Sequence, residues 1–322
     1  MMISISRIVC PLDFSTVSRS AFDHAVALAR RSGARITAVH VAPSVGDTAV
    51  ANRTDAAPPA SDPSRPADAA PPAGPATDVM AWLAEPARRA GVDVDTVVVE
   101  GNAVQRILEQ ADAPSADLVV MGTHGTGGFE QLVMGSVAER IVRKAACAVL
   151  TVPPDTSKLP PAPGAGFDRI VCAIDFSEPS LRALEYALTL AEGAASQVTV
   201  VHVVEQPPHS FLLPSQSSPN ETDPGLLLKA QARLEALLPA NVHDYCEARL
   251  EIRTGRAHEQ ILHLAGQENA RVIVMGVHGR GRGVVQRFFL GSVTNQVVRG
   301  AACPVLSVRA VTPPASRPAA AS

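Results

Sequence analysis

The chain has 322 residues, enough for two domains of ordinary size. It is 46% hydrophobic and 18% charged, so it can bury sizeable cores, and its formal net charge of -3 gives no basis for non-specific nucleic-acid binding. Aromatic content of 3% argues against stacking platforms for single strands, and no stretch approaches the roughly 18 apolar residues of a membrane span.

The opening segment MMISISRIVCPLDFS has too short an apolar run for a signal peptide, and Asp13 interrupts it. Residues 7–12 form a short apolar run with β-branched residues, which predicts a buried strand. Residues 17–31 place Ala21, Ala25, Leu28 and Ala29 at helical spacing, with Gly33 as a stop. A strand at 35–41 follows. From about residue 43 to 76 the chain is rich in Ala, Pro, Asp and Ser; such a segment buries too little apolar surface to offset its ordering entropy and is expected to be a disordered insert. Beyond it the pattern predicts a helix at 78–89, a strand at 92–99, a helix at 103–111, a strand at 117–121, a helix at 135–145 and a strand at 148–152.

The same order then returns. RIVCPLDFS from Arg7 reappears as RIVCAIDFS from Arg169, pairing Cys10 with Cys172, Asp13 with Asp175 and His40 with His202. Strands separated by helices imply βαβ crossovers, so the expected fold is α/β: two tandem, doubly wound, five-stranded parallel sheets of Rossmann-like type. The expected division is a first domain at 1–153, a linker at 154–167, a second domain at 168–309 and a flexible tail at 310–322. The closing strands, 148–152 and 304–308, are apolar and lie at sheet edges. Exposed edges pair, so the repeats are expected to pack face to face through them as an intrachain pseudo-dimer; homodimerisation of the whole chain stays open. The five cysteines have no zinc-knuckle spacing, and four lie in or beside apolar runs, so a reduced, cytoplasmic compartment is expected.

One stretch stands apart. MGTHGTGGFEQLVMGSV, from Met121 to Val137, leaves the end of a strand, carries five glycines and closes with Gly135-Ser136 at a predicted helix start. MGVHGRGRGVVQRFFLGSV, from Met275, repeats it. The first N–H groups of a helix lack intrahelical partners and sit in the positive end of its dipole, and glycines let a ligand approach the backbone. Together these features describe a phosphate cradle. The loop is not a P-loop, since it lacks Gly-Lys-Ser/Thr and the three lysines (Lys144, Lys158, Lys229) lie elsewhere. It is not the Rossmann GxGxxG either, which belongs after the first strand. Ligands in doubly wound sheets bind beyond the carboxyl ends of the strands.

The spacing Gly122-x2-Gly125-x9-Gly135-Ser136, an Asp ending the first strand and a His-Val pair ending the second resemble the universal stress protein family, UspA type, in its tandem two-domain form. The resemblance implies an adenine-nucleotide-binding, regulatory stress-response protein with ATP as the ligand and Mg2+ as an optional bridging ion. It implies nucleotide contacts from Pro11, Asp13, Val41, Gly122, His124, Gly125, Thr126, Gly127, Gly128, Gly135, Ser136 and Val137. In the second repeat it implies Ala173, Asp175, Val203, Gly276, His278, Gly279, Arg280, Gly281, Arg282, Gly291, Ser292 and Val293. Eleven residues rather than nine separate Gly279 from Gly291, although Gly281 restores nine. The first repeat keeps the spacing and the second offers the arginines.

Other readings compete with these. Asp13 and Asp175 read either as ligand contacts or as strand-end caps, and His40 and His202 read as structural. His124 and His278 read equally as phosphate contacts or as local hydrogen-bonding groups. No nucleophile–base set can be assembled, so no catalytic residue is assigned. A slow ATPase or self-phosphorylating enzyme, and a scaffold without nucleotide, are the alternative functions.

Overall fold

In the computed structural model, which describes residues 3–43, 74–112, 115–125, 134–154, 167–192, 196–205, 224–244, 246–277 and 291–310, both repeats alternate strand and helix. The first runs β1 (Arg7–Pro11), α1 (Thr16–Ser32), β2 (Arg35–Ala42), α2 (Ala76–Arg89), β3 (Val94–Glu100), α3 (Ala103–Asp112), β4 (Leu118–Gly122), α4 (Ser136–Lys144) and β5 (Ala148–Val152). The second runs β6 (Arg169–Ala173), α5 (Glu178–Ala191), β7 (Gln197–Val204), α6 (Pro224–Glu235), β8 (Glu247–Thr254), α7 (Ala257–Gln267), β9 (Val272–Gly276), α8 (Ser292–Gly300) and β10 (Val305–Val308). Most of the insert expected at 43–76, the linker and the tail lies outside the described residues.

Local chemistry explains the element ends. Ser15 caps α1, its side chain accepting from the Ser18 N–H, and Gly33 ends the helix in the left-handed region at φ 70, its N–H donating to the Ala29 carbonyl. Strand β4 is short and apolar because it is buried on both faces.

The ten strands form one sheet in the order β3-β2-β1-β4-β5-β10-β9-β6-β7-β8. All neighbours are parallel except β5 and β10, which pair antiparallel with Leu150 opposite Leu306. This corrects the expected face-to-face packing: the closing strands do pair, but edge to edge. Every residue of β5 and of β10 is buried, so each is a central strand of a joined sheet. Thr151 reinforces the seam by donating its hydroxyl to the Val305 carbonyl at 3.2 Å.

Two apolar layers cover the sheet, and each spans both repeats. One packs α1, α2, α5 and α6 against residues such as Ile8, Cys10, Ile170 and Cys172. The other packs α3, α4, α7 and α8 against Val9, Val119, Val171 and Ile273. Two arginines tie the repeats further by capping helix C-termini across the seam. Arg31 donates to the Leu190 carbonyl at 2.6 Å and Arg309 to the Val142 carbonyl at 3.4 Å. Among the described residues no helix is long and apolar enough to cross a membrane.

Candidate functional site

The doubly wound order reverses where β1 lies between β2 and β4, and a cavity of about 670 Å³ opens there beyond the strand ends. Its wall includes Pro11, Asp13, Val41, Gly122, His124, Gly125, Gly135, Ser136 and Val137, which are all the described residues singled out in the first repeat. The corresponding cavity of the second repeat, about 470 Å³, is walled by Ala173, Asp175, Val203, Gly276, Gly291, Ser292 and Val293 among others. Thr126, Gly127, Gly128, His278, Gly279, Arg280, Gly281 and Arg282 lie outside the described residues.

Backbone geometry supplies one wall. The Leu12 N–H donates to the Val39 carbonyl at 2.8 Å, so Val39 faces β1. Residues two apart on a strand point the same way, so Val41 turns its N–H and carbonyl to the same edge, past the end of β1. The Ile174 N–H to Val201 carbonyl bond, also 2.8 Å, sets up Val203 identically.

The turn after β1 is built from side chains. Asp13 Oδ1 accepts from the Ser15 N–H at 3.1 Å and from the Ser15 hydroxyl at 2.6 Å. Asp175 makes the matching pair with Ser177. Each aspartate is therefore a strand-end cap and a cavity wall at once. Between aspartate and serine, Phe14 and Phe176 sit in the left-handed region, at φ 65 and 62. That conformation costs a non-glycine residue roughly 1–3 kcal/mol and persists only where its surroundings enforce it. Phe14 stacks on His40 with centroids 4.3 Å apart, and His40 Nδ1 lies 2.8 Å from the Leu12 carbonyl. His202 packs against Phe176 in a tilted arrangement, centroids 4.7 Å apart, and its Nδ1 lies 2.7 Å from the Ile174 carbonyl. Both histidines thus brace the turn, as a structural reading predicts.

The glycines divide into two kinds. A Cβ on Gly122 would stand 2.8 Å from Val17 Cγ1, and one on Gly276 would stand 2.8 Å from the Ser180 nitrogen. These two glycines allow a strand end to pass the start of α1 or α5, a packing reason that stands beside their place in the two cavity walls. A Cβ on Gly125 would meet Asp13 Oδ2 at 2.6 Å, inside the cavity, and one on Gly135 would meet the Thr123 carbonyl at 3.1 Å. The Gly135 N–H already donates to that carbonyl at 2.8 Å, closing the loop. Since the Glu139 N–H donates to the Gly135 carbonyl at 3.0 Å, the open donors of the cradle are the N–H groups of Ser136, Val137 and Ala138.

His124 adds a polar group to this wall. Its Nδ1 lies 2.8 Å from Thr123 Oγ1, while its Nε2 is buried with no hydrogen-bond partner among the described residues. His124 shares the cavity wall with the three helix-start residues, an arrangement that fits an anionic ligand. Among the described residues no cluster of three or more His, Cys, Asp or Glu side chains could hold a metal ion. A divalent cation here would need oxygens from a ligand.

Sequence reasoning missed several wall residues. Ala103 and Ile107 of α3 supply an apolar side, and Ser18 and Thr123 supply hydroxyls. Their signal is only their place near a helix start or loop. Glu139 and Arg299 were also missed; Arg299 belongs to the second repeat yet lines the first cavity.

The comparisons agree with this architecture. The model of the Universal stress protein family matches residues 4–153 and 166–309, one match per repeat, and the chain belongs to that family. The universal stress protein MJ0531 of Methanocaldococcus jannaschii is 33% identical over 149 residues, which are 45% of this chain and 81% of that protein. The Mycobacterium bovis universal stress protein Mb2028c is 29% identical over 211 residues, 60% of this chain and 62% of that protein. A universal stress protein from Archaeoglobus fulgidus covers 96% of this chain and 98% of its own at a TM-score of 0.62 and 18% identity, a likeness of fold. Another member, aligned to 47% of this chain at a TM-score of 0.34, was solved in complex with cAMP.

Proposed function

We propose that the chain is an adenine-nucleotide-binding regulatory protein, with ATP held in the first repeat's cavity and a stress response in the cytoplasm as its setting. The observation that carries this is the cavity itself. It has the size of a small-molecule site, roughly 300–1,000 Å³, and it joins a strand edge, a carboxylate, an imidazole and a helix start.

In this reading Val41 presents its backbone donor and acceptor to the edge of the base. Asp13, held by Ser15, accepts from ribose hydroxyls. The N–H groups of Ser136, Val137 and Ala138 and the imidazole of His124 hold the phosphates, with the α4 dipole adding partial positive charge. A bound nucleotide would supply the charge and the oxygens that a bridging Mg2+ needs. No lysine lines the described wall, and efficient phosphoryl transfer needs positioned cations and metal. Occupancy, rather than turnover, is then the signal. The corresponding roles of Ala173, Asp175, Val203, Ser292 and Val293 belong to a second, smaller site.

Mass spectrometry of ligand released from the purified full chain, followed by calorimetry with ATP, adenosine and GTP, tests the reading. It predicts an adenine nucleotide in the released material and ATP binding without phosphate release. A chain that binds none of the three probes contradicts it and leaves the scaffold function.

A further inference from the structure

We propose that Arg299, from the second repeat, is the phosphate-binding cation of the first repeat's site, held ready there by Glu139. The proposal rests on the nucleotide reading above and goes beyond it, because it makes the first site incomplete without the second repeat.

Arg299 lies in the last turn of α8. That helix begins at Ser292, in the wall of the second cavity, and its nine residues cover about 13 Å at 1.5 Å per residue. Its far end delivers Arg299 to the first cavity, whose wall also holds Gly135, Ser136 and Glu139. There Arg299 Nη2 stands 3.9 Å from Glu139 Oε2. The two side chains keep 40% and 34% of their exposure, so this is a weak pair that a better anion can break.

Glu139 stands in the first turn of α4. A helix start attracts negative charge, and here the chain has put its own carboxylate where phosphates would go. Glu139 satisfies both the dipole and Arg299. A polyphosphate carries more charge and more acceptor oxygens than one carboxylate, and a guanidinium bonds phosphate with two parallel N–H groups. Arg299 therefore passes from Glu139 to the phosphates, and Glu139 acts as a built-in competitor that favours ligands of higher charge.

The second repeat lacks this device. Asn295 occupies the place of Glu139, and Arg143 that of Arg299. Asparagine offers no charge to hold an arginine, and Arg143 is not among the described residues lining the second cavity. The two sites of one chain thus differ in how they sense charge.

Calorimetry on the full-length protein with ATP and with adenosine tests this. Arg299→Ala should weaken ATP binding at the first site about tenfold, the effect of losing one charge-assisted contact, and leave adenosine binding within about twofold. Arg299→Lys should recover part of the loss, Glu139→Gln should tighten ATP about two- to fivefold, and Arg143→Ala should change neither ligand. Unchanged ATP affinity in Arg299→Ala, or equal losses for ATP and adenosine, overturns the proposal while leaving the nucleotide reading intact. Absence of binding for both ligands in the unaltered protein overturns both. The melting temperature of each variant shows whether a loss reflects unfolding.

Discussion

The two repeats share ten strands of one sheet and the same turn after their first strands, yet they differ at the points where function would be decided. The first has the larger cavity and a Glu139–Arg299 pair drawn across the seam. The second has a smaller cavity, Asn295 in place of the acid and Thr294, whose hydroxyl donates to the Gly276 carbonyl at 3.0 Å. The difference teaches that duplication preserves the scaffold through packing, while single positions on the cavity walls drift apart in charge and polarity.

Packing differs between the repeats too, and this gives the largest expected effect. A Cβ at Gly276 would strike the Ser180 nitrogen and Pro179, which are fixed backbone and ring, whereas one at Gly122 would chiefly strike a Val17 methyl that can turn. Gly276→Ala should destabilise by about 3 kcal/mol and Gly122→Ala by nearer 1 kcal/mol, within the usual range of overpacking. Urea unfolding measures both; equal costs would show that the close pass of strand over helix start does not differ.

A second contrast concerns acid. His24 of α1 is buried, and desolvation holds its pKa below the usual 6.5, against the opposing pull of the Ser20 carbonyl and Asp23. Its counterpart is Tyr186, which stays neutral in acid. Because the folded pKa is lowered, the unfolded chain binds more protons below pH 6.5, and stability falls as pH falls, by at most about 1.4 kcal/mol per unit for this one group. Replacing His24 with Phe should flatten the decline between pH 6.5 and 5. Thermal melts in that window check it, and an unchanged slope would assign the acid sensitivity elsewhere.

Caps give a smaller effect. Ser15 accepts from the Ser18 N–H, whereas Ser177 makes no side-chain cap bond. Ser15→Ala should cost about 1 kcal/mol and Ser177→Ala about half that, read from paired denaturation curves. The smallest effect is on thiol reactivity. Burial pushes Cys147 up to about 11 and Cys303 up to about 12, and raises the fully buried Cys10 and Cys172 further. Alkylation near pH 8 should be slow, reaching half-buried Cys147 before Cys10 and Cys172. These raised values also mean that stability present below about pH 9 declines as pH climbs through 11 and 12.

Much of this molecule could be read from its sequence, because strands buried on both faces and amphipathic helices write their periods plainly. The strand over 148–152 and the helix after Gly135 follow from such patterns within a residue. Seam geometry was less legible: an apolar edge says that β5 pairs, not that it joins β10 within the same sheet. The packing role of Gly122 was not legible, because nothing local reveals that Val17 lies against it. Arg299 was invisible for a deeper reason. It serves a cavity assembled mostly from residues more than 150 positions earlier in the chain, and only the antiparallel β5–β10 register brings it there.

The central claim is that the first repeat's helix-start cradle, rather than the arginines of the second loop, dominates nucleotide binding. Calorimetric titration of ATP into the full-length Gly135→Val and Gly291→Val variants, with melting temperatures recorded alongside, tests it most directly. A valine at 135 crowds the Thr123 carbonyl and the donors beside it, so the account predicts loss of most ATP binding in that variant and a smaller loss in Gly291→Val. A greater loss in the Gly291→Val variant would contradict the account and give the second repeat the principal site.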